Sequence, residues 1–282
     1  MSMRRILLPW DRQPQGAVGI DYTNPLTIGL SAAIVGGRAV NVASGDLGKA
    51  MGSAYSAPSS RGLSFASGVS VTDRYQFPAA RMRNGSGGGV TLAVMVFPGP
   101  SNGHSAGQYT FMRGQFAEEG YVFLMLQGAG SSRAITLQFF SGSYFSAGSV
   151  AENAWHTIML SKPTTASADG TASVDGRIVP TSGYSISRAF VTDENLALYV
   201  GGYRSSDDRV LRGRLALCLL WDRALSVSEH LAWQANPWRV FAPREIWVPR
   251  SAAAGYTHPT LSSPRMIWTG VGAGQPAIDY TW

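Results

Sequence analysis

Two stretches of this chain are apolar almost without interruption. Residues 90–97 read VTLAVMVF and residues 215–221 read LALCLLW. The first alternates weakly and stops at Pro98, which predicts a central strand of a sandwich; the second closes a strand over residues 211–221. Shorter apolar runs occupy residues 29–35, 63–65, 68–71, 109–113, 121–127, 134–140, 143–147 and 196–200, each bounded by Gly or Ser. Strands spaced so closely, with turn residues between them, predict two packed β-sheets. Residues 36–60 are rich in Gly, Ser and Ala and read as a loop with weak strands, and NGSGGG at 84–89 reads as a turn.

One helix interrupts this pattern. Ser226, followed three residues later by Glu229, is a capping box, and Asn236-Pro237 supplies the stop. Within residues 226–235, Leu231, Ala232 and Ala235 are apolar, and Trp233 adds to the expected buried face. Outside the sandwich the pattern fails at both ends. Residues 1–24 carry Pro9, Pro14 and Gly16 and read as an extended arm. Residues 244–282 hold Trp247, Trp268 and Trp282 among prolines at 249, 259, 264 and 276, which forbid a helix of any length. The expected division is therefore an arm (1–24), a β-domain (25–243) and a second arm (244–282).

The segment 196–243 carries a resemblance. It runs strand, Gly201-Gly202, polar loop, strand, Asp222-Arg223-Ala224-Leu225-Ser226, short helix, Asn236-Pro237. This resembles the closing segment of laminin-G-like, concanavalin A-like jelly rolls, above all those encoded in bacteriophage and prophage genomes. Trp155-His156-Thr157-Ile158 resembles the family's "Trp-His-x-apolar" strand. Val174-Asp175-Gly176 resembles its apolar-Asp-Gly hairpin, a turn that suits two positive φ angles. The likeness spans roughly residues 25–240. It implies an all-β sandwich with one short C-terminal helix and extended arms, but no chemistry, because this fold serves lectins, glycosidases and structural proteins alike.

Composition narrows the function. Charged residues make up 14% of the chain, against about 25% in typical soluble proteins, too few to coat a free monomer. Burial against other subunits is the first reading, and a Ser/Thr/Gly-coated monomer the alternative. The net charge of +6 comes almost wholly from Arg, which suits interfaces but is equally a product of GC-rich coding; no basic stripe points to nucleic acid. The single Cys218 lies in an apolar run and reads as a core thiol. Residues 6–8 are too short for a leader's apolar core, and no run of 18 apolar residues exists, so synthesis in a host bacterial cytoplasm and no membrane insertion are expected.

Candidate chemistry is sparse. Jelly-roll glycosidases need a pair of carboxylates aimed into one cleft. The six Glu here (118, 119, 152, 194, 229, 245) do not alternate along a strand, so no catalytic residue is expected. His104, His156, His230 and His258 lack ligand spacing. No cofactor is expected except calcium, for which Asp207 and Asp208, with Asp73, are the candidates; a solvated acidic turn beside Arg204 and Arg209 is the plainer reading. Tyr144, Phe145, Tyr184 and Tyr203 are candidate glycan-stacking rings, and Trp10, Trp247, Trp268 and Trp282 candidate partner anchors. With the resemblance, these features imply a non-enzymatic virion component, tail- or baseplate-associated or decorating a capsid. Its partners would be other virion proteins and further copies of itself. The alternative is an adhesin that binds host polysaccharide.

Overall fold

The computed structural model describes residues 13–14, 18–66, 73–79, 89–100, 108–114, 122–128, 132–139, 143–163, 170–184, 196–202 and 210–243, apart from the side chains of residues 79, 109, 123, 138, 139, 143, 144, 183, 184 and 243. In chain order these form β1 (Val18–Ile20), a 3-10 turn (Pro25–Thr27), β2 (Leu30–Val35), β3 (Val40–Asn41), β4 (Lys49–Met51), β5 (Tyr55–Ser59), β6 (Gly62–Ala66), β7 (Arg74–Ala79), β8 (Val90–Pro98), β9 (Gln108–Arg113) and β10 (Val122–Gln127). There follow β11 (Ser132–Phe139), β12 (Ser143–Ala151), β13 (His156–Lys162), β14 (Thr171–Val174), β15 (Arg177–Val179), β16 (Ser182–Tyr184), β17 (Ala197–Val200), β18 (Gly213–Trp221), helix α1 (Val227–Ala235) and β19 (Phe241–Pro243).

The strands build an all-β sandwich, as the periodicity predicts, of the jelly-roll kind that the resemblance implies. One sheet runs β16-β12-β11-β10-β9-β17-β7-β4; the other runs β15-β14-β13-β8-β18-β2-β3, with β6 also on β18 and β5 on β6. Their inner faces close one apolar core. From β8 it takes Val90, Leu92, Val94 and Val96, every second residue, as a pleated strand requires. In β18 the same alternation breaks at a bulge between Leu215 and Leu217, so that Leu215, Cys218 and Leu220 all face inward. Burial raises the Cys218 thiol above its ordinary pKa, as expected of a core residue. The predicted strand at 143–147 continues to Ala151. A second register shift against β11, near Gly148 at φ 58°, absorbs the extra length.

The outer face of the β8 sheet is apolar too. Ala93, Met95, Met159, Leu217, Leu219 and Trp221 form a second cluster, covered by Leu26, Trp233, Trp238, Val240 and Phe241. The cover comes from both ends of the described chain: β1 pairs antiparallel with β19 through Val18–Pro243, Gly19–Ala242 and Ile20–Phe241. The N-terminal segment is also tied to the sheet directly, since the Trp221 indole N–H donates to the Leu26 carbonyl at 2.7 Å. Residues 18–20, within the expected N-terminal arm, thus form a strand of the cover.

Helix α1 has the cap that the sequence predicts. The Ser226 hydroxyl accepts from the Glu229 backbone N–H, and the Glu229 carboxylate accepts from the Ser226 N–H at 2.8 Å. Arg223 grips that carboxylate with two nitrogens, at 2.6 and 3.1 Å. This grip, against partial burial and helped by Ser226, holds the Glu229 carboxyl at about 2. The buried face differs from the predicted one. Leu231 (41% exposed) and Ala235 point outward, while His230, Trp233 and Gln234 are buried. The helix docks on strands whose outward residues include Ser161 and Ser173, so polar side chains find partners at that seam. Ser226→Ala should cost about 1 kcal/mol in chemical denaturation. An unchanged midpoint would show that the cap contributes nothing to the docked helix.

Candidate functional site

An open cavity of about 390 Å³ lies where the start of β13, the β14–β15 turn and the end of α1 meet. A second void, of about 10 Å³, sits in the core beside Phe65 and Leu215 and has room for about one water. The cleft's floor and walls come from distant parts of the sequence: Arg61, Met95, Trp155, His156, Asp175 and Gln234 all line it.

Each side chain is held from behind. The partly exposed Trp155 ring packs on the outer apolar cluster and lies 5.7 Å from Phe97 at an angle of 58°. Asp175 occupies the left-handed region (φ 47°) and is followed by Gly176 (φ 83°), the pair of positive angles that a tight hairpin uses. That turn lifts the Asp175 carboxylate over the end of β13, where Oδ1 accepts from the Thr157 N–H at 2.9 Å and Oδ2 meets His156 Nδ1 at 2.6 Å. His156 Nε2 faces the Ala151 carbonyl at 3.0 Å. Burial pushes the Asp175 carboxyl upward, but the hydrogen bonds from His156 and Thr157, with the nearby imidazole charge, outweigh it and leave the group below its ordinary value.

Gln234 closes the inner wall. Its Oε1 accepts from the Gly176 N–H at 3.1 Å and from the Thr157 hydroxyl, while its Nε2 donates toward the Thr157 and Ser173 carbonyls at 3.2 and 3.1 Å. The Gly176 N–H can only donate and the two carbonyls can only accept, so the amide's orientation is fixed. The cleft therefore offers an aromatic face beside a carboxylate, an imidazole and a guanidinium on a rigid frame.

The motifs Trp155-His156 and Asp175-Gly176 were visible in the sequence as strand and turn, but their meeting in one cleft was not. Of the rings singled out in the sequence, Phe145 is 3% exposed and faces the core, which removes it from glycan contact. Tyr144 lies in β12 and Tyr184 in β16, opposite each other in register, with side chains outside the described set. Tyr203, Asp207, Asp208, Trp10, Trp247, Trp268 and Trp282 also lie outside the described residues. Asp73 is buried and accepts from the Ser53 N–H and hydroxyl at 2.6 and 2.9 Å. Among the described residues no group of three His, Cys, Asp or Glu is placed to hold a metal, and no helix is long and apolar enough to cross a membrane.

No protein-family model matches the chain, and no curated protein matches it. Solved structures do. Domain 4 of AbnA, a GH43 extracellular arabinanase from Geobacillus stearothermophilus in complex with arabinotriose, superposes with a TM-score of 0.53 at 13% identity, over 73% of this chain and 98% of that domain. Trypanosoma rangeli sialidase in complex with sialic acid gives 0.53 at 20% identity, over 74% of this chain and 33% of the sialidase. The chain thus spans about a third of the sialidase's length. At these identities the likeness establishes the β-sandwich fold.

The Asp175 carboxyl titrates lower in the folded chain than in the unfolded one. Its stabilising contribution is therefore complete above the ordinary carboxyl pKa and fades as the pH falls through the lowered folded value. The melting temperature of Asp175→Asn should lie below that of the parent at pH 7, and the gap should narrow toward pH 3. A gap independent of pH would show that the charge on Asp175 plays no part.

Proposed function

We propose that this chain is a non-enzymatic, carbohydrate-binding sandwich carried in a bacteriophage virion, where it meets host surface polysaccharide through the cleft at Trp155. The observation that carries the binding half is the pairing of a partly exposed indole with Asp175, His156 and Arg61 around one open cavity. A pyranose has an apolar face that stacks on a ring and hydroxyls that need donors and acceptors at its rim, and the cleft has both. The arabinotriose complex of the superposable arabinanase domain supports the same use of this sandwich.

The non-enzymatic half rests on the state of the polar groups. The described lining carries one carboxylate, Asp175, and glycoside hydrolysis in its usual form needs two. Both Asp175 oxygens accept hydrogen bonds, and both His156 nitrogens face oxygen atoms, so these groups hold one another in place. Hydrolysis of bacterial polysaccharides by the pure protein, lost on Asp175→Asn, would overturn this half.

The virion half rests on the sequence. The chain has 14% charged residues, and the segment 196–243 resembles phage-encoded laminin-G-like domains. In this reading the Trp-rich ends, with Trp10, Trp247, Trp268 and Trp282, bind other virion proteins or further copies of the chain, at a tail, baseplate or capsid surface.

Two experiments test the halves separately. Trp155→Ala should weaken binding of bacterial surface oligosaccharides at least about ten-fold, the equivalent of about 1.4 kcal/mol, with the β-sheet circular dichroism unchanged. Equal binding by both proteins would remove Trp155 from the site. Deletion of residues 250–282 should leave a folded sandwich that fails to enter particles, and normal incorporation would refute the role given to that arm.

A further inference from the structure

Beneath α1 runs a line of polar side chains whose donors and acceptors can be assigned one by one. The Thr91 hydroxyl donates to the Arg223 carbonyl at 2.7 Å. Its only proton is thereby used, so in the 2.7 Å contact between Thr91 Oγ1 and Ser161 Oγ it is Ser161 that donates. Ser161 Oγ, its own proton spent, must accept from His230 Nε2, 2.6 Å away. The imidazole is therefore the Nε2–H tautomer, and its bare Nδ1 accepts from the Ser173 hydroxyl at 2.9 Å. Ser173 Oγ in turn lies 3.0 Å from the Gln234 amide nitrogen, which lines the cleft. The chain of bonds is directional from the 223 carbonyl to the cleft wall, and His230, at its middle, is 0% exposed.

We propose that His230 is an acid-responsive latch: a proton arriving at Nδ1 forces Ser173 to give up its donor role, breaks the directional chain, and releases α1 together with the Gln234 wall of the cleft.

The proton has nothing to balance it there. The charged and titratable groups on the elements packed around His230 are Glu229 on its own helix, Asp222 and Arg223 on the loop before it, Lys162 and His156 at the two ends of β13, and Asp175, paired with His156, and Arg177 at the β14–β15 turn; β14 and β8 carry none. Of these, Glu229 is the one whose charge favours the protonated ring, and that carboxylate is already held by Arg223 and Ser226. Burial therefore prevails and lowers the His230 pKa from 6.5 to about 4. A lowered folded pKa stabilises the docked state fully above about 6.5, and that stability is lost progressively as the pH falls through about 4. Once undocked, the nine-residue helix is too short to persist alone in water, so release amounts to local unfolding. The acid release of a glycan rests on the function proposed above; the latch itself involves no ligand.

The test uses the full chain without ligand. Amide hydrogen exchange, corrected for intrinsic rates, should show the α1 amides opening about 30-fold more at pH 5 than at pH 8, the ratio that linkage gives for these two pKa values, while the β18 amides stay protected. His230→Gln, which does not titrate, should abolish that dependence. Long-range nitrogen–proton spectra of the parent should show His230 as the Nε2–H tautomer at pH 7, titrating near 4, a reading that stands even if the variant does not fold. Equal α1 protection at both pH values, a joint opening of α1 and β18, the opposite tautomer or a midpoint near 6.5 would each overturn the latch.

Discussion

The fold turns on one strand pair that has no wet side. β8 and β18 lie at the middle of their sheet, and each sends apolar residues to both faces. A sheet that is apolar on both faces needs cover on both, because large apolar areas left in water cost about 25 cal/mol per Å². The opposite sheet covers one face. The other is covered by segments at the two ends of the described chain, with Trp221 as the post to which the first of them is tied. Helix α1, the β1–β19 pair and the 3-10 turn exist in these places because that face must be dry.

The same demand produces the cleft. A short helix and a hairpin cannot tile a sheet completely, and the gap between them opens beside Trp155. Its edges are firm because the polar residues there bond to one another: Asp175 to the start of β13, and Gln234 to both the hairpin and β13. Binding geometry of this kind is a by-product of covering a sheet, with rigidity supplied by hydrogen bonds that the cover needs in any case.

Much of the architecture was legible in the sequence. The runs at 90–97 and 215–221 gave the central strands, and Ser226 with Glu229 gave the helix start, because both signals are local. The inward set of β18 was not legible, since a bulge changes the parity of its side chains and no residue there announces it. The buried face of α1 was misread for a related reason. Hydropathy puts Leu231 inside, yet the helix sits on Ser161 and Ser173, whose hydroxyls pair with the two nitrogens of His230. The cleft was legible only in pieces. Trp155, Asp175 and Gln234 stand far apart in sequence, and only the register of β13 with β14 and the docking of α1 bring them together.

The pairing of β1 with β19 sets how this body responds to force. Val18 is the register partner of Pro243, so β1 begins and β19 ends at one rung, side by side. Pulled apart there, an antiparallel pair opens like a zipper, one rung after another, instead of resisting along its whole length in shear. The next rungs are Gly19–Ala242 and Ile20–Phe241, and behind them the Asp21 N–H donates to the Val240 carbonyl, the Asn24 amide donates to the Arg239 carbonyl, and Leu26 packs beneath the Trp221 indole bond. Traction toward the N-terminus meets the buried Gln13 first, whose amide donates to the Gly36 carbonyl and accepts from the Leu63 N–H, so the small ladder is the fuse and Gln13 the catch set ahead of it.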